Sequence, residues 1–141
     1  MGTLYVVGTP IGNMEDVTFR QLETLKSVDF IAAEDTRVTL KLLNRYGIKK
    51  TLVSYHRHSG ENCALSIMER IKNGENAAIV TDAGMPCISD PGEDLVKICA
   101  ENEVDVKVVP GPSAVISALA VSGLSTSRFS FEAVSYTHLT L

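Results

Sequence analysis

Five short stretches of this 141-residue chain hold the side chains and backbone features that could do chemistry. They are Gly8-Thr9-Pro10-Ile11-Gly12-Asn13, Glu34-Asp35-Thr36-Arg37, Tyr55-His56-Arg57-His58, a long run from Thr81-Asp82-Ala83-Gly84-Met85-Pro86 to Ser89-Asp90-Pro91-Gly92, and Val109-Pro110-Gly111-Pro112-Ser113-Ala114. The carboxylates of Glu34 and Asp35 and the imidazole of His56 are groups that take a proton from a weak acid such as a hydroxyl. Arg37 and Arg57 suit a phosphate, and Tyr55 or a neighbouring histidine suits stacking on a base. Asp35-Thr36 also reads as a helix cap, and the Tyr55–His58 stretch as an exposed polar loop. Two histidines without a third ligand nearby do not make a metal site, so no metal is expected.

The first glycine loop is not a Walker A loop, because no Gly-Lys-Ser/Thr follows it. An acid some twenty residues further on is where a dinucleotide fold holds a ribose, but Pro10 breaks the G-x-G-x-x-G spacing. Two Asp, two Gly and two Pro within ten residues of one another make the 82–91 loop a rigid wall rich in free amide and carbonyl groups. Pro112 and Ser113 at a helix start leave N–H groups pointing towards the same place.

The elements that position these stretches alternate strictly. Apolar runs predict strands at 4–7, 28–33, 51–54, 77–81 and 106–109. Helix-period stretches lie at 18–26, with Leu22 and Leu25 inward, 36–46, 59–72, with Leu65, Met68 and Ile71 on one face, 93–100 and 113–121. Alternation of this kind predicts an α/β fold: an open, mostly parallel five-stranded sheet with helices on both faces. Helix-to-strand connections read as plain turns, whereas the strand-to-helix connections hold nearly all the unusual residues. Ligands of open α/β sheets bind beyond the carboxyl ends of the strands, so five loops are expected to converge on one edge.

Composition supports one well-buried domain, with 45% hydrophobic and 21% charged residues. No apolar run could span a bilayer and no signal peptide precedes the first strand, so neither a membrane nor export is expected. Three cysteines without C-x-x-C spacing fit core thiols in a reducing cytosol. The net charge of −4 argues against nucleic-acid binding by this part of the molecule, unless further sequence carries the basic surface.

Taken in order, VVGTPIGNMEDVTFR, AEDTR, SYH, TDAGMPCISDPG and VVPGPSAVISAL resemble the signature series of the tetrapyrrole-methylase-like family. They are most similar to its branch of ribosomal RNA (cytidine-2′-O)-methyltransferases, from Thr3 to Glu132. The resemblance implies S-adenosyl-L-methionine as cofactor, folded into a cleft between two domains and lined here by Thr9, Pro10, Asp82, Gly84, Met85, Ser113 and Ala114. It implies 16S rRNA of the small ribosomal subunit as substrate, a homodimer for the full-length protein and a cytoplasmic location. Glu34, Asp35 and His56 stay open as candidates for the base, and Arg37 and Arg57 would bind substrate. Residues 1–124 would form the cofactor-binding domain and 125–141 the start of a linker to a second domain, with 133–141 unrelated sequence. On that reading the chain alone has weak activity or none. Two other readings are a small-molecule tetrapyrrole methylase and a non-catalytic cofactor-binding module.

Overall fold

The computed structural model describes residues 1–133, so nearly all of the expected unrelated tail lies outside the described residues. Five strands, β1 (Thr3–Val7), β2 (Phe30–Ala33), β3 (Thr51–Ser54), β4 (Ala77–Val80) and β5 (Asp105–Val109), alternate with α1 (Phe19–Ser27), α2 (Thr36–Arg45), α3 (Gly60–Lys72), α4 (Glu93–Glu101) and α5 (Ala114–Val121). All pairings are parallel and the order across the sheet is β3-β2-β4-β1-β5. The expected α/β architecture is what the chain adopts.

Burial explains which strands are central. β2 (FIAA) and β4 (AAIV) are buried at every residue, as strands covered on both faces must be. The edge strands β3 and β5 leave alternate positions open, and Val108 of β5 is exposed. Two apolar layers sandwich the sheet. Leu25 of α1 with Leu42 and Leu43 of α2 pack on Val7, Ile31 and Val80 on one side. Ile67, Met68 and Ile71 of α3 with Leu95 and Cys99 of α4 pack on Leu4, Phe30 and Ile79 on the other.

Helix starts follow local chemistry. The Thr18 hydroxyl accepts from the Gln21 N–H and the Gln21 Oε1 from the Thr18 N–H, a reciprocal cap at α1. Gln21 is fully buried, and its Nε2 also donates to the Pro110 carbonyl at 3.0 Å, tying α1 to the loop after β5. Asp35 caps α2 and Ser113 caps α5.

Two details differ from the pattern-based expectation. The second strand begins at Phe30 and not at residue 28, because Val28 closes α1 by donating to the Thr24 carbonyl. On α3 the inward stripe is Ala64, Ile67, Met68 and Ile71, spaced i, i+3, i+4, i+7, and Leu65 lies off it, exposed.

The crossovers through α1 and α2 run over one face, and those through α3 and α4 over the other. Chains leaving β1 and β4, which are neighbours, therefore turn to opposite sides and open a crevice between their carboxyl ends.

Candidate functional site at the carboxyl edge of the sheet

Gly8, Glu34, Tyr55, Thr81 and Pro110 each follow the end of a strand, and because all five strands are parallel they stand on one edge. The loops are stitched to one another. The Gly8 N–H donates to the Val109 carbonyl, and Thr9 and Gly84 exchange N–H···O bonds at 3.0 Å each. Gly8 and Gly111 touch backbone to backbone: a Cβ on Gly8 would come within 2.6 Å of the Gly111 Cα, so neither tolerates a side chain.

Three hollows open between these loops. The largest apolar one is a cleft of 380 Å³ that brings together Gly84, Met85, Ser113 and Ala114, four of the seven residues expected around a cofactor. The other three, Thr9, Pro10 and Asp82, line a small hollow of 30 Å³ on the α2 side. His56 and Arg57 stand on a polar cavity of 230 Å³ whose far wall is Asp90, Glu93 and Asp94.

The acids at this edge are crowded. Glu34 Oε1 accepts from the Thr81 hydroxyl at 2.8 Å and from the Asp82 N–H at 3.4 Å, bridging β2 to β4. Asp82 Oδ1 accepts from the Asp35 N–H at 3.1 Å. Asp35 caps its helix and is gripped by the Arg37 guanidinium at 3.0 and 3.2 Å, which holds its carboxyl below the usual range. Arg37 otherwise faces solvent. Burial, and after it the Glu34 charge, push the Asp82 and Asp90 carboxyls above the usual range. Burial likewise lifts the Tyr55 phenol to about 12 and the Cys87 thiol to about 11, so neither is a nucleophile near neutrality. His56 Nδ1 accepts from the His58 N–H at 3.1 Å. Among the described residues no group of three His, Cys, Asp or Glu is placed to hold a metal, and no helix is long and apolar enough to cross a membrane.

Sequence reasoning missed most of the cleft's apolar wall: Ile11, Ile88, Ile116, Phe129 and Phe131. A signal for it was present. The α5 sequence AVISALAV is apolar on every side yet buries no residue, so its neighbours are surfaces meant for contact. Asp90, at the rim of the same cleft, was also passed over.

Relatives share this edge through sequence and fold. Ribosomal RNA small subunit methyltransferase I of Thermotoga maritima is 54% identical over 132 residues, a match spanning 94% of this chain and 60% of the relative. The protein of that name from Bacillus subtilis is 52% identical, over 93% of this chain and 45% of its own length. The chain thus spans about half the length of such relatives. Among solved structures, uroporphyrin-III-C-methyltransferase from Thermus thermophilus superposes with a TM-score of 0.65 at 21% identity, over 91% of this chain and 55% of that one. A diphthine synthase does so with 0.70 at 19%, over 92% and 52%; at such identities the likeness speaks for fold alone. The profile of the tetrapyrrole (corrin/porphyrin) methylases matches residues 3–140 from end to end, and with strands, switch point and loops in that family's arrangement, the chain belongs to it.

Proposed function

We propose that a protein carrying this chain is an S-adenosyl-L-methionine-dependent methyltransferase that methylates the 2′-hydroxyl of a cytidine in 16S rRNA. The observation that carries the reading is the apolar cleft around Gly84, Met85, Ser113 and Ala114, in a chain 54% identical to a ribosomal RNA small subunit methyltransferase. The cleft fits the cofactor. Apolar Ile11, Met85, Ile116, Phe129 and Phe131 suit an adenine and a methionine chain. Gly84 keeps the floor low, since a Cβ there would reach 3.4 Å from Ile11 Cγ2 and 3.5 Å from the Pro112 carbonyl oxygen.

Bound there, the sulfonium supplies an electrophilic methyl carbon and a neutral thioether leaving group. The residues of this chain have the tasks of aligning nucleophile with methyl and excluding water from the cleft. Arg57, on the adjoining cavity, and Arg37, on the rim, suit phosphates of the RNA backbone. Exposed Val121, Leu124, Phe129 and Phe131 support further chain packing or self-association, in line with a homodimer. A cytoplasmic setting goes with a ribosomal substrate.

The test is transfer of tritiated methyl to hypomethylated small ribosomal subunits. The chain would be assayed alone and continued after Phe131 by the corresponding remainder of the Thermotoga maritima relative. Label is expected in a cytidine ribose of 16S rRNA with the continued form, and little or none with the chain alone. No transfer by the continued form would end the proposal. Retained transfer after neutralising both Arg37 and Arg57 would point to a small-molecule substrate instead.

A further inference from the structure

The apolar cleft and the polar cavity have one residue in common. Of all the side chains lining the two, only Asp90 lines both. Any reaction joining a ligand in one hollow to a ligand in the other takes place beside it. We propose that Asp90 is the catalytic carboxylate, accepting the proton of a ribose hydroxyl whose nucleotide sits in the cavity of His56, Arg57, Glu93 and Asp94 while the methyl donor occupies the cleft. The assignment rests on the methyl-transfer reading above.

The other acceptors at this edge are engaged or misplaced. Glu34 Oε1 already accepts two hydrogen bonds, from Thr81 and Asp82. Both oxygens of Asp35 are held by Arg37. Neither acid lines the cleft or the polar cavity. His56 lines the polar cavity alone, and its Nδ1 accepts from the His58 N–H. Asp90 is carried to the junction by a loop with left-handed backbone at Cys87 (φ 76°) and Ser89 (φ 53°). That path turns Ile88 onto the cleft and Asp90 onto the shared wall.

The polar cavity has the chemistry of a nucleoside site. Carboxylates such as Glu93 and Asp94 accept from sugar hydroxyls and from the amino group of cytosine. Arg57 offers a phosphate partner on the same wall. In the step itself the hydroxyl O–H bond breaks and its electron pair stays on oxygen, which takes the methyl carbon. The proton ends on Asp90 and leaves to water before the next turnover. The charged neighbours tune this carboxylate for the task. Burial raises it, Glu34 from the end of β2 and Asp82 from the end of β4 raise it further, and Arg57 from the β3–α3 loop and the Thr81 hydroxyl pull it back. His56, Glu93 and Asp94 complete the ring of titratable groups facing it. A carboxylate raised in this way is a stronger base than a free aspartate.

The experiment uses the chain continued by the remainder of the Thermotoga maritima relative. Asp90→Asn is expected to leave S-adenosylhomocysteine affinity unchanged by calorimetry while methyl transfer to hypomethylated subunits falls on the order of 10²- to 10⁴-fold. Asp90→Glu, which keeps a carboxylate, should recover part of that loss. By carbon-13 NMR the Asp90 carboxyl should titrate above the ordinary aspartate value of about 3.9 and drop in Glu34→Gln. Should Asp90→Asn fail to fold, the acid limb of the wild-type pH–rate profile decides, and it should move to lower pH in Glu34→Gln. Transfer within a few-fold of wild type in Asp90→Asn, or affinity lost in parallel with activity, would overturn the assignment. An inactive wild type would strike the methyl-transfer reading and this assignment together; an active wild type beside an equally active Asp90→Asn strikes the assignment alone.

Discussion

The two edges of the sheet are built on opposite principles. At the amino edge every charge meets its complement. Asp29 accepts from the Asn76 N–H at 2.7 Å and returns its own N–H to the Asn76 carbonyl, and Asn76 Oδ1 accepts from Thr3 at 2.9 Å. Arg70 grips Glu75 with two bonds of 2.7 and 3.0 Å and lies 3.7 Å over the Phe30 ring. At the carboxyl edge Glu34, Asp82 and Asp90 raise one another, two non-glycine residues sit at positive φ, and apolar side chains line an open cleft. Turns that only connect relax to their lowest free energy. Loops that must receive a ligand keep like charges and uncovered surface in readiness, and the paired amino edge and the core carry the stability.

The widest separation between the edges should come from filling the cleft. Ala114→Trp in the continued protein is expected to weaken S-adenosylhomocysteine binding on the order of 100-fold, about 2.7 kcal/mol, with the melting temperature nearly unchanged. Calorimetry beside a thermal melt measures both, and full affinity would remove α5 from the site. The amino edge should answer in reverse. Asn76→Ala breaks the clasp between β1 and β4 and should cost about 1–2 kcal/mol in urea unfolding while binding stays intact.

A third contrast is one of sign with pH. Glu75 is held below its ordinary pKa by Arg70, so its stabilisation is present above about pH 4.5 and is lost as pH falls further. Asp82 is raised, by burial and by Glu34, so its folded-state penalty appears as pH rises through its pKa. Glu75→Gln should therefore lower the urea midpoint at pH 7 and Asp82→Asn should raise it, with both differences fading near pH 3. Midpoints that move the same way in the two variants would erase the distinction. The smallest effect lies at high pH. Tyr55 ionises near 12 in the fold against about 10 in an unfolded chain, so its stabilisation is full below pH 10 and fades towards pH 12. Tyr55→Phe should flatten that part of the alkaline unfolding curve.

Much of this was legible beforehand, for reasons that are local. β2 and β4 announce themselves because strands buried on both faces are apolar at every position, and the chemistry-bearing loops fall after strand ends in any parallel sheet. The order β3-β2-β4-β1-β5 is not local, and the roles of the acids depend on it. Glu34 reads as a free proton acceptor until β4 is known to lie beside β2, where the Thr81 hydroxyl claims it. Asp90 was passed over because its position depends on left-handed backbone at Cys87 and Ser89, residue types that do not foretell it. Phe129 and Phe131 follow the last helix without any periodicity, so only the folded chain shows that they close the cleft.

The strand order also bears on how a ribosome delivers this chain. β1 is the first strand to be made, yet its partners are β4 and β5, and β4 starts about 70 residues later. At roughly 5–20 residues per second, β1 spends on the order of 4–14 s outside the tunnel with both edges bare. β2 and β3 can pair with each other in that interval, so the nascent sheet assembles from its far side and accepts its oldest strand near the end.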